Sequence, residues 1–220
     1  LMAIFPGSAI PSAVSDDYEI DNSLRFEDAD SAKLSKTFSS AGDQTAWTFS
    51  AWVKKVDMAN DIGSRPIFGA HSDTSNWSEI RFNSDHDELK WVETVSGSTV
   101  GQLWTTASYR DVASWYHLIF TWDSANGTSG NRMRIYVNGS EVTAFDTDSN
   151  PSSSQASATN GACSHTIGSA QDDSSTYYTS GYMAEVYFID GTALDADSFG
   201  ELDSDTCLLY TSPSPRDRTR

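Results

Sequence analysis

Residues 115–123 carry Tyr116, Leu118, Phe120 and Trp122 on one face and Trp115, His117, Ile119 and Thr121 on the other, in the period of two that an extended chain imposes on its side chains. Both faces hold bulk, so the segment is predicted as a central strand. Residues 124–131 are small and polar with two glycines, which suits a chain reversal. The next strand, 133–138, ends in Asn138-Gly139, a pair that accepts the positive torsions of a tight hairpin leading into Glu141-Val142-Thr143. The pattern is that of an antiparallel β-sandwich.

The same period recurs along the chain. In residues 46–55, Trp47, Phe49, Ala51 and Val53 share a face. Further strands are predicted at 24–26, 32–38, 66–70, 78–83, 89–95, 100–106, 165–168 and 182–189, at intervals of about ten residues typical of sandwiches and barrels. Strands alternate with turns rather than helices, which excludes a parallel α/β fold. A single short helix is predicted at 193–199. Residues 145–163, rich in Ser, Asn and Ala, read as a mobile surface loop, and 172–180 as a second polar loop. The chain has 220 residues, enough for one large β-domain. We divide it into an N-terminal arm (1–22), a sandwich domain (23–206) and a distinct tail (207–220).

Aromatics make up 12% of the sequence, including seven Trp, which suits sheet cores and stacking platforms. With 31 acidic and 14 basic residues the formal charge is -17, a field that repels phosphate backbones and anionic membranes, so nucleic acid is not an expected partner. No apolar run is long enough for a membrane-spanning helix, so membrane insertion is not expected, and the N-terminus lacks the basic-then-apolar order of a secretory signal. Two cysteines, Cys163 and Cys207, are too few for a disulfide scaffold or a Cys-rich metal centre.

Residues 47–54, Pro66-Ile67-Phe68-Gly69, Trp115-Tyr116-His117-Leu118, residues 134–139, Ile167-Gly168 and residues 181–186 together resemble the laminin-G-like, concanavalin A-like jelly roll, in matching order across about residues 23–200. The ending at 184–194, followed by Ser198-Phe199-Gly200-Glu201, resembles laminin-G-like domains of bacteriophage tail or appendage proteins. The resemblance implies an all-β jelly roll on a virion, assembled in the host cytoplasm and extracellular after lysis. Its partners would be other virion proteins and host-surface glycans, and it would act as a homo-oligomer. Residues 207–220 turn Pro- and Arg-rich and resemble translated sequencing-adapter read-through, so this tail is expected to be non-native and the natural chain to continue past Thr206.

β-Glucanases on this scaffold use a Glu-x-Asp-x-x-Glu strand, and a retaining glycosidase needs two carboxylates about 5 Å apart. Here Glu19-Ile20-Asp21 and Glu201-Leu202-Asp203 both lack the third acid, so no catalytic residue is assigned. His71, His86, His117 and His165 form no metal-ligand spacing, and His117 fits a packed strand residue. The resemblance implies calcium as the cofactor to test, through oxygen ligands on rim loops. Asp28 and Asp30, with Asp172 and Asp173, are the candidate ligands, and they fit ordinary solvated turn acids as well. For glycans, aromatics that stack on sugar faces are the relevant feature. Trp77, Trp91, Trp104, Tyr109, Tyr177 and Tyr178 are the candidates, each equally compatible with core or interface, while Trp47, Trp52, Trp115 and Trp122 are assigned to the sheets. The leading expectation is a non-enzymatic structural and adhesive module that recognises glycans. The alternatives are a polysaccharide-degrading glycoside hydrolase and a purely structural decoration or oligomerisation domain.

Overall fold

The computed structural model describes residues 22–57, 64–84, 86–171, 176–202 and 209–211. In chain order the strands are β1 (Leu24–Phe26), β2 (Leu34–Thr37), β3 (Ala46–Lys55), β4 (Arg65–Asp73), β5 (Asn76–Phe82), β6 (Glu88–Val95), β7 (Ser98–Ser108), β8 (Tyr116–Asp123), β9 (Met133–Val137), β10 (Ser140–Glu141), β11 (Phe145–Ser149), β12 (Ser164–Ile167), β13 (Ser169–Gln171), β14 (Thr176–Tyr178), β15 (Gly181–Asp190), β16 (Gly200–Leu202) and β17 (Leu209–Thr211). A six-stranded sheet, β1-β15-β3-β8-β9-β10, faces a seven-stranded one, β11-β7-β6-β5-β4-β12-β2. Every pairing in both sheets is antiparallel. The predicted β-sandwich is the observed one.

The alternation explains the core. On β8, Tyr116, Leu118, Phe120 and Trp122 point between the sheets, where they meet Trp47 and Phe49 of β3 and Trp91 and Leu103 of β6 and β7. Trp47 stacks on Trp122 at 6.4 Å and meets Trp91 edge-on at 5.3 Å, ring geometries that favour aromatic pairs. The opposite face of β8 is buried too. Ile119, with Tyr136 of β9, is covered by Ala196 and Phe199, so β8 is central and filled on both sides as its sequence requires. The hairpin also forms as expected: Asn138 and Gly139 adopt φ values of 50° and 80° and lead into β10.

Three predicted loops and helices are corrected. Residues 145–163 are not a mobile loop: β11 pairs with β7, and Ser157, Thr159, Asn160 and Cys163 are buried. Their small polar side chains read as solvent-seeking, yet their hydroxyls are drawn inward by a buried carboxyl, described below. Of the polar loop predicted at 172–180, residues 172–175 lie outside the described residues, but Thr176–Tyr178 pairs with β13, and Thr179 and Ser180 are buried. The helix predicted at 193–199 is a single 3-10 turn, Ala196–Ser198, because the segment spreads over the six-stranded sheet to bury Ala196 and Phe199. Leu209–Thr211, within the tail, pairs with Gly200–Leu202.

Candidate carbohydrate-binding face

Directly opposed residues of an antiparallel pair share a face. Because Leu89, Trp91 and Leu103 point into the core, the residues between them point outward. Trp104 of β7 stands opposite Lys90 of β6, Lys90 opposite Arg81 of β5, and Trp104 opposite Thr147 of β11. The next row holds Ser149, Gln102, Val92 and Glu79, and the next pairs Thr94 with Trp77. Lys90 Nζ sits 5.4 Å from the centre of the Trp104 ring, whose indole N–H donates to Glu88 at 3.4 Å. Arg81 pairs with Glu79 at 3.1 Å and lies 6.0 Å from the Tyr177 ring. Exposed cation–π contacts of this kind contribute about 0.5–1 kcal/mol.

One side of this face is roofed. The β13–β14 hairpin lies across β4, and Gly69 allows it: a Cβ there would come within 2.9 Å of the Ala170 backbone. Tyr177 comes from this hairpin. The open part of the face is therefore bounded by Tyr177 and by Trp104, with polar side chains of β7 and β11 beside the indole.

A family model for the concanavalin A-like lectin/glucanases superfamily, of laminin G type, matches residues 26–198. The chain belongs to this superfamily. Its fold is similar to that of the native heptameric SAP-like pentraxin of Limulus polyphemus, at 16% identity over 82% of this chain and 83% of that one, with a TM-score of 0.53. It is also similar to domains LG4-5 of the mouse laminin alpha1 chain, at 11% identity over 88% of this chain and 48% of that one, with a TM-score of 0.54. A third similar structure is the binding domain of botulinum neurotoxin DC in complex with SialylT, at 16% identity over 80% of this chain and 39% of that one, with a TM-score of 0.53. No curated protein sequence matches significantly.

In this laminin G-like domain the six candidate aromatics separate. Trp104, Trp77 and Tyr177 are half-buried and belong to the outer side of the seven-stranded sheet. Tyr178, also half-buried, holds Lys33 Nζ 5.7 Å from its ring centre. Trp91 is corrected: it is 0% exposed between the sheets, because it alternates in step with Leu89. Tyr109 is half-buried and packs on Phe82 and Tyr116. Its carbonyl accepts from Lys55 Nζ at 3.0 Å.

Of the acidic candidates, only Asp28 and Asp30 lie among the described residues. Asp28 accepts from Ser180 Oγ and the Ala29 N–H at 2.8 Å each and from Arg65 at 3.2 Å; with Ser180 the largest influence, these contacts lower its carboxyl pKa. Asp30 is exposed, and Asp172 and Asp173 lie outside the described residues. Among the described residues no group of three or more His, Cys, Asp or Glu is placed to hold a metal.

Glu93 was not singled out from the sequence, and it is the most elaborately held carboxyl in the domain. Ser78 Oγ, Thr159 Oγ1 and the Trp91 indole N–H donate to one oxygen at 2.7, 3.1 and 3.2 Å, and Ser157 Oγ and the Ala158 N–H to the other at 2.8 and 3.0 Å. It is 0% exposed. Burial raises its pKa more than the donors lower it. A raised carboxyl is what a general acid requires, but this one is sealed beneath residues 157–159 and cannot reach a substrate. His117 is similarly structural: burial lowers its pKa to about 4, its Nε2 is 3.0 Å from Ser50 Oγ, and its ring stacks on Trp52 at 4.9 Å.

Proposed function

We propose that this domain is a non-enzymatic carbohydrate-recognition module that binds glycan on the outer face of its seven-stranded sheet. The observation that carries the reading is the placement of Trp104 on the open side of that face beside Gln102, Thr147 and Ser149, an aromatic plane for a sugar ring bordered by hydrogen-bonding side chains. Tyr177 forms the far wall. The likeness to the neurotoxin binding domain in complex with SialylT supports the class of ligand through the shared fold. The resemblance of residues 184–194 to phage appendage domains supports a place on a virion, with the ligand on the host surface and several copies displayed together. Single-site affinity would then be weak and avidity large.

Hydrolysis is the less favoured reading. Of the inward or outward carboxyls near this face, Glu79 is engaged by Arg81, Glu88 by Trp104, and Glu93 is enclosed.

The test is a glycan array probed with the full chain, with Trp104→Ala and with Tyr177→Ala, each with and without calcium. Binding is expected to fall about tenfold or more in Trp104→Ala, the order of one lost stacking contact. Binding that ignores both substitutions would remove the face as the site. No binding to any glycan would favour the decoration or oligomerisation role, and release of reducing sugar would restore the hydrolase reading. Loss of binding on calcium removal would bring back the ion implied by the family resemblance.

A further inference from the structure

Trp47, Phe49, Ala51 and Val53 form the inward row of β3, and the period of two puts Lys55 next in that row. Lysine is a costly occupant of such a position, since an ammonium taken out of water must be paired. Its partner comes from the other sheet. Lys55 Nζ is in direct contact with the Asp87 carboxylate, in the turn between β5 and β6, and the two side chains are 2% and 0% exposed.

The surroundings are aromatic and fixed. Nζ sits 4.8 Å from the centre of the Phe82 ring, and Phe82 packs on Tyr109 and Tyr116, whose rings meet edge-on at 5.7 Å. The Asp87 backbone holds a φ of 61°. Its N–H donates to the Asn83 carbonyl at 3.2 Å, and its carbonyl accepts from the Tyr109 N–H at 2.9 Å. The Tyr109 carbonyl accepts in turn from Nζ at 3.0 Å. Both ends of the pair are therefore anchored before any reaction, the condition under which intramolecular steps reach effective concentrations of about 10⁵–10⁸ M.

Desolvation offsets much of what a buried ion pair gains in attraction, and a neutral amide at the same place carries no such cost. Burial is also the largest influence on Lys55 and lowers its pKa despite the Asp87 charge. That favours the free amine, the form of lysine that acts as a nucleophile.

We propose that Lys55 and Asp87 condense into an isopeptide bond that joins the two sheets covalently. One proton passes from the ammonium to the carboxylate, giving an amine and a carboxylic acid. The Nζ lone pair attacks Cγ and forms the N–C bond, a second Nζ proton moves to the carboxyl hydroxyl, the C–O bond breaks, and water leaves. Nothing is oxidised or reduced, and no co-reactant enters. The amide retains one N–H for the Tyr109 carbonyl and removes both charges from the core.

Mass spectrometry of the full chain, denatured after folding, decides it. The intact mass is expected to fall short of the sequence mass by one water. A tryptic digest is expected to contain a branched peptide joining Lys55 to Asp87, with no cleavage after Lys55. Lys55→Arg, which keeps the cation but offers no amine, and Asp87→Ala are both expected at their full sequence masses. A parent chain at its full sequence mass would overturn the proposal, whether or not the variants fold. So would a water loss that persists in Lys55→Arg, or one that maps to a single unbranched peptide, the mark of a cyclised aspartyl residue.

Discussion

Glu93 shows why a buried carboxyl is hard to replace. Each of its oxygens faces one donor that cannot rotate away, the Trp91 indole N–H on one side and the Ala158 backbone N–H on the other. In Glu93→Gln the amide NH2 must therefore meet a fixed N–H whichever way it is turned. The expected loss is about 2–3 kcal/mol of unfolding free energy, measured by denaturant titration, and Glu93→Ala should lose at least as much by stranding all five donors. The pH dependence has a sign. Since the folded pKa is raised, this carboxyl's contribution is complete below the unfolded value of about 4.3 and is lost as pH rises through the folded one. His117 runs the other way. Its folded pKa of about 4 lies below the unfolded value, so its contribution is complete above about pH 6.5 and falls as pH drops toward 4, by up to about 3 kcal/mol. Stability measured across that window should flatten in His117→Gln; an unchanged acid slope would assign the loss to other groups.

At the scale of elements, the turns and central strands were legible and the long connections were not. The spacing predicts a strand over 46–55, and β3 forms with the same bounds, because four aromatic or aliphatic residues at period two leave an extended chain few alternatives. Asn138-Gly139 was equally readable. Asn138→Ala, which must hold φ near 50° and loses the Oδ1 that accepts from the His117 N–H at 2.8 Å, should cost about 1–2 kcal/mol in thermal or chemical unfolding. Trp91 is legible as a core residue from its step of two with Leu89. Residues 157–159 are not, since their partner Glu93 is more than sixty positions away and nothing local marks a serine as a core donor. Of the candidate site, Trp104 and Tyr177 were named from sequence, but their shared face depends on strand order. Lys90, Arg81 and Gln102 join them only once β5, β6 and β7 are in register.

For the whole molecule, one core shared by two sheets predicts one cooperative transition, which calorimetry should show as equal calorimetric and van't Hoff enthalpies. The sheets are also tied by charge: Lys55 of β3 is 2% exposed and pairs with the fully buried Asp87 in the turn between β5 and β6. Removing the cation in Lys55→Met should destabilise the domain by about 3–5 kcal/mol, read from the unfolding midpoint, because a buried carboxylate would lose its countercharge. Folding should be slow, since β3 must find β15 across more than a hundred residues. The segment that closes over Glu93 has a practical corollary for anyone diversifying this scaffold. Residues 152–154 and Ala156 face solvent and offer a stretch for random libraries or grafted epitopes, whereas Ser157, Thr159 and Asn160 are buried anchor points. A display library that varies the first group and fixes the second would keep its folded fraction, and one that varies both would be dominated by clones that never reach the cell surface.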